Sequence, residues 1–126
     1  MKLENWDIHK IRYTIVTCGK PVIVLFWMPN CRPCKFQERI LEELADDYGN
    51  EAIFVKCRAD EYPTDETNQI GLPAVPSTMI NTFLDGKSDS GKVFGVFPSI
   101  ADKVKLVEEI DAAIEEMEQH NAEKES

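Results

Sequence analysis

The sequence predicts an α/β fold: a central mixed sheet of about four strands, parallel in its first half, with helices on both faces. Three observations carry that expectation. Two short apolar runs, Val22–Trp27 and residues 52–57, flank one amphipathic stretch, giving a strand–helix–strand unit of about 36 residues. Two later runs, Ser77–Leu84 and residues 92–97, are joined by the polar, glycine-bounded link 85–91, which fits an antiparallel hairpin. Helical spacing of apolar residues marks both ends of the chain.

The first helix rests on Ile8, Ile11, Ile15 and Cys18, three and four apart, with Asn5 as its expected N-cap and Gly19 as its stop. Val22–Trp27 is too short for a buried helix and lies between Pro21 and Pro29, so it reads as a strand covered on both faces. The second helix is expected over Arg32–Tyr48. Phe36, Ile40, Leu44 and Tyr48 form its stripe, flanked by Leu41 and Ala45, while Glu38, Glu42, Glu43 and Asp46 face water and Gly49 ends it. The crossover to residues 52–57 should be right-handed. Residues 60–76 are mixed, with a short helix expected from Thr64 or Asp65 to Ile70 and a stop at Gly71. Ser99 is the expected cap of a last helix, buried through Val104, Val107, Ile110, Ile114 and Met117, with an acidic tail fraying over residues 119–126.

The 126 residues suit one domain, and no repeat or linker divides them. With 43% hydrophobic residues, a core forms without cross-links. A net charge of −9 repels phosphate backbones and anionic lipid, which argues against nucleic acid and membrane as partners. The longest apolar run, residues 21–29, falls far short of the ~20 residues that cross a bilayer. Residues 1–7 carry acids and no secretion-signal stretch, so the expected location is cytoplasmic. In a reducing compartment four cysteines point to catalysis or metal binding rather than a structural framework.

Cys31-Arg32-Pro33-Cys34 falls where the first strand gives way to the second helix. Two residues between cysteines on a first helical turn bring the sulfurs within bonding range. Unpaired N–H groups and the helix dipole favour a negative sulfur at Cys31, the attacking thiol. Cys34, one turn further in, suits a thiol that attacks second. Pro33 is tolerated because first-turn residues need no N–H donor. Arg32 places a cation beside Cys31, which should favour the thiolate further and make the disulfide more oxidising.

The segment Phe26-Trp27-Met28-Pro29-Asn30-Cys31-Arg32-Pro33-Cys34-Lys35 resembles the active-site segment of the thioredoxin family, and the resemblance extends from Pro21 to the last helix. It implies a thioredoxin-like fold and thiol–disulfide exchange through Cys31 and Cys34, with no cofactor beyond that dithiol. Lys56 falls where the family often has a lysine near the site. Val75-Pro76-Ser77-Thr78 resembles its cis-proline loop, and Gly91 and Gly95 lie near its glycine-rich hairpin. The resemblance further implies a disulfide-containing protein as substrate, lying across Trp27, Met28, Val75 and Pro76. A flavoprotein reductase or glutathione would donate electrons to a monomer.

Departures from the family pattern are equally legible. Leu25 replaces a buried acid that serves the resolving thiol, so Lys56 loses its usual partner. Asn30 replaces a tryptophan, and Arg39 a helix-kinking proline. Little sequence is left for an opening strand, since only Lys2 and Leu3 precede the first helix. Two other classes stay open. One is a binding module with an idle dithiol, suggested by Leu25. The other is a zinc protein, opposed by the lack of a second ligand pair: Cys18, Cys57, His9 and His120 are scattered singles. Cys18 and Cys57 read as small apolar residues, Trp27 as a core or rim aromatic, and Lys56 as a side chain that could simply snorkel.

Overall fold

Leu25 stands at the centre of the molecule, in the middle of a strand whose first four residues are fully buried. The structure, a computed structural model, describes residues 2–61, 75–84, 87–95 and 100–125, with backbone alone over 87–93 and 123–125. In chain order the elements are β1 (Glu4–Asn5), α1 (Ile8–Thr17), β2 (Val22–Trp27), α2 (Arg32–Tyr48), β3 (Ile53–Arg58), β4 (Ser77–Leu84), β5 (Lys87–Phe94) and α3 (Lys103–Glu125). The sheet order is β1-β3-β2-β4-β5. β3 runs parallel to β1 and β2, while β4 is antiparallel to β2 and to β5.

The strand pleat sorts the apolar run of β2 into two layers. Ile23 and Leu25 enter one cluster with Leu41 and Leu44 of α2 and Leu106 and Ile110 of α3. Val22, Val24 and Phe26 enter the other, with Ile8, Ile11 and Ile15 of α1. A strand apolar on both faces therefore takes the central place, and each fully buried Leu or Ile contributes ~1.5–3 kcal/mol there.

The four long strands are those expected, and a fifth, of two residues, borders β3: Glu4 pairs with Val55 and Asn5 with Lys56. Asn5 is thus a strand residue and not the cap of α1. Asp7 caps α1 instead, its Oδ1 accepting from the N–H groups of His9 and Lys10 at 2.9 Å each. β5 begins at Lys87, five residues earlier than expected, because an edge strand with one free ladder tolerates a polar sequence. A register shift between Ile80 and Thr82 accommodates the extra residue on its β5 side.

Two helices are rotated from their expected phase. In α2 Phe36 is 52% exposed, and the buried positions are Cys34, Gln37, Leu41, Leu44 and Ala45. In α3 Val104 is 70% exposed, while Leu106, Ile110, Ala113 and Met117 are buried. Asp102 starts α3 by accepting the Lys105 N–H at 2.9 Å. The helix continues to Glu125 instead of fraying from residue 119, and Asn121 Nδ2 reaches the Gly19 carbonyl at 3.5 Å. Ser99 and the expected short helix over 64–70 lie outside the described residues. At the far end of α2, Tyr48 Oη donates to Asp111 Oδ1 at 2.6 Å, joining α2 to α3; burial, then this bond, pushes the phenol pKa up. No helix among the described residues is long and apolar enough to cross a membrane.

Candidate active site

Beyond Trp27 the chain turns sharply before entering α2. Asn30 takes the left-handed conformation, with φ 62°, one that Asn tolerates better than most side chains. Cys31 follows in an extended conformation as the N-cap of α2, and its Sγ accepts the Cys34 N–H at 3.3 Å. That N–H is one of the donors every helix start leaves without an internal partner. Arg32 and Pro33 make up the first turn, where the missing proline N–H costs nothing.

Cys31 and Cys34 are joined as a disulfide, with their Cα atoms 5.3 Å apart, inside the usual range for such a bridge. The two sulfurs differ in access. Cys31 is half-buried at the rim, whereas Cys34 is 3% exposed. Both line a groove of about 90 Å³ that Trp27, Met28, Glu38 and Lys56 also border. Arg32 projects into solvent and is absent from the groove wall.

Parallel pairing sets Lys56 beside Leu25, and antiparallel pairing sets Thr78 on the other side of Leu25. Leu25 is wholly within the core cluster, so it offers Lys56 nothing polar. The partner replaced by Leu25 is thus absent, as expected, and another takes its place: the Lys56 Nζ lies 2.6 Å from Glu38 Oε1 of α2. Glu38, read from the sequence as facing water, is therefore half-buried at the groove. The Lys56 ammonium also stands 5.0 Å from the centre of the Trp27 ring, with the Arg58 guanidinium 5.9 Å from it. Trp27 Nε1 donates to Asn5 Oδ1 at 3.0 Å, a tie from β1 to the groove wall.

The Val75–Pro76 bond is cis. Ser77 pairs with Phe26, which sets the preceding proline at the same sheet end as Trp27 and the cysteines. Pro76 is fully buried, and Val75 packs on the cluster under α1; neither borders the groove itself. Of the other cysteines, Cys57 is buried in that cluster. Cys18 is half-buried, its Sγ accepting the Lys20 N–H at 3.4 Å. Among the described residues no three His, Cys, Asp or Glu side chains are grouped to hold a metal.

Two residues escaped sequence reasoning. Glu38 could have been found from its place four residues after Cys34, on the same helical face. Gln37 could not: fully buried, it accepts the Ala101 N–H at 2.8 Å and donates to the Ala101 carbonyl at 3.1 Å, across 64 residues of chain. Gly95, with φ 59°, makes room for this lock, since a Cβ there would lie 2.6 Å from Gln37 Oε1 and closer still to the Ala101 nitrogen.

A dithiol that closes to a disulfide at a helix start, one sulfur at the rim and the other beneath it, defines a thiol–disulfide oxidoreductase. The thioredoxin family model matches residues 9–112. A thioredoxin of Griffithsia pacifica is 34% identical over 86 residues, covering 68% of this chain and 75% of that one. The chloroplastic M-type thioredoxin of Zea mays is 30% identical over 95 residues, but this chain spans only 52% of its length. Among solved structures, chloroplastic thioredoxin z superposes with a TM-score of 0.73 at 22% identity, covering 91% of this chain and 96% of that one. Mitochondrial thioredoxin 3 of Saccharomyces cerevisiae gives 0.67 at 22% identity, covering 87% and 94%. The chain belongs to the thioredoxin family.

Proposed function

We propose that this oxidoreductase reduces disulfides in protein substrates. Cys31 thiolate attacks one substrate sulfur and forms a mixed disulfide. Cys34 then attacks Cys31, the reduced substrate leaves, and the Cys31–Cys34 disulfide awaits a flavoprotein reductase or glutathione. The observation that carries this reading is the unequal exposure of the two sulfurs at the start of α2. A reacting partner meets Cys31 first. Trp27 and Met28 would border the substrate on one side, with Val75 offering main-chain hydrogen bonds beside Pro76, as an added strand.

The net charge of −9 supports action on proteins rather than on nucleic acid or membrane, and a monomer in the cytoplasm is the proposed working form. Insulin reduction with dithiothreitol as donor tests the central claim. Wild type accelerates precipitation, and Cys31→Ser abolishes the acceleration. Equal rates for the two would reduce the protein to a binding module with an idle dithiol.

A further inference from the structure

The second step of this exchange needs the proton of Cys34 removed, and burial disfavours a thiolate. Cys34 is buried, and Leu25, the sheet residue paired with Lys56, is apolar. Among the described residues lining the groove, Glu38 carries the one carboxylate. It sits one helical turn beyond Cys34 on the same face of α2, a separation at which side chains meet. Lys56 holds it there across 2.6 Å, reaching over from β3.

We propose that Glu38 is the proton acceptor for Cys34, acting through one water in the groove, with Lys56 as its positioning residue; this rests on the disulfide-reducing reading above. The Cys34 thiol passes its proton to the Glu38 carboxylate, and the resulting thiolate attacks the Cys31 sulfur. The bond between Cys31 and substrate breaks as the Cys31–Cys34 bond forms. The substrate sulfur leaves as a thiolate and recovers the proton. Two electrons pass from the dithiol to the substrate disulfide. The other charges facing this path are the ammonium groups of Lys35 and Lys56 at the groove and the Arg58 guanidinium over Trp27, itself paired with Asp60.

Reduced protein mixed with 5,5′-dithiobis(2-nitrobenzoate) separates the two steps by stopped flow. The first release of nitrothiobenzoate reports attack by Cys31, and the second reports attack by Cys34. In Glu38→Gln the second phase slows by about tenfold or more at pH 6 to 7, short of the ~10²–10⁴-fold of a directly positioned proton acceptor because water can still take the proton. The deficit closes above pH 9, where hydroxide removes the proton, and Glu38→Asp recovers part of the rate. A purely structural role for Glu38 would instead give one deficit at all pH values and overturn the proposal. So would a second phase in Glu38→Gln within twofold of wild type from pH 6 to 9. Wild type alone gives an independent check: a second phase rising about tenfold per pH unit from 6 to 8, as an unassisted thiol does, also sinks the idea. Insulin reduction that survives Cys31→Ser removes the underlying reading; a Cys31-dependent reaction indifferent to Glu38 removes only this inference.

Discussion

Around the first two turns of α2, polar groups are treated in opposite ways on adjoining sides. On the groove side Cys31, Glu38 and Lys56 keep partial contact with water, and the backbone enters through a left-handed Asn30. On the core side Gln37 is sealed and spends both ends of its amide on the Ala101 peptide. A reacting group has to change bonds as it works, so it sits where water can replace a lost partner. A lock does not change, so burial strengthens it and makes its loss expensive. One helix thus carries a fixed group, Gln37, and a labile one, Glu38, on consecutive residues.

The most severe way to break this contrast is Gln37→Leu. It leaves the Ala101 N–H and carbonyl buried without partners, at ~1–3 kcal/mol for each such group. The expected total is a loss of about 2–6 kcal/mol in urea unfolding, with dithiol chemistry retained by the folded fraction. A loss under half a kcal/mol would mean that the lock is not the fixed element described.

Arg32→Gly probes the open side. Its guanidinium is exposed, so stability should move within ~0.5 kcal/mol, while alkylation of Cys31 by iodoacetamide at pH 6 slows about two- to fivefold, the size of a screened helix-start charge effect. An unchanged alkylation rate would show that the helix start alone sets the reactivity of Cys31.

The mildest test compares Cys31 with a cap that has no chemistry. The Lys10 N–H, then that of His9, holds the Asp7 carboxyl below the ordinary 3.8. A group lowered in the folded state adds stability above its unfolded value and loses it as pH falls through the folded value. Asp7→Asn keeps the hydrogen-bonding cap and removes the charge. Its melting temperature should therefore fall slightly below wild type at pH 7, and the gap should close below pH 3.

How much of this was legible depended on how far apart the partners lie. The bounds of β2 and α2, the stop at Gly49 and the pairing of Cys31 with Cys34 are local matters of a run, a breaker and one helical turn, and they stand as read. The phase of α2 is not legible from the sequence because Phe36 outweighs Gln37 on any apolar scale. Only Ala101, brought up by α3, makes the amide worth burying. Glu38 looked like a solvated acid because Lys56 reaches it from another strand. The start of the edge strand β5 is hidden for a similar reason, since its polar residues carry the marks of a loop until β4 is placed beside them.

The two-residue strand β1 reaches further than its length. Asn5 fixes the indole of Trp27, Glu4 accepts the indole N–H of Trp6 at 2.9 Å, and the Trp6 amide donates to the Lys56 carbonyl at 2.8 Å. Both tryptophans of the chain are therefore moored to the same border of the sheet. Intrinsic fluorescence becomes a gauge of that border, and peeling it away would unsettle the redox groove before any helix melts.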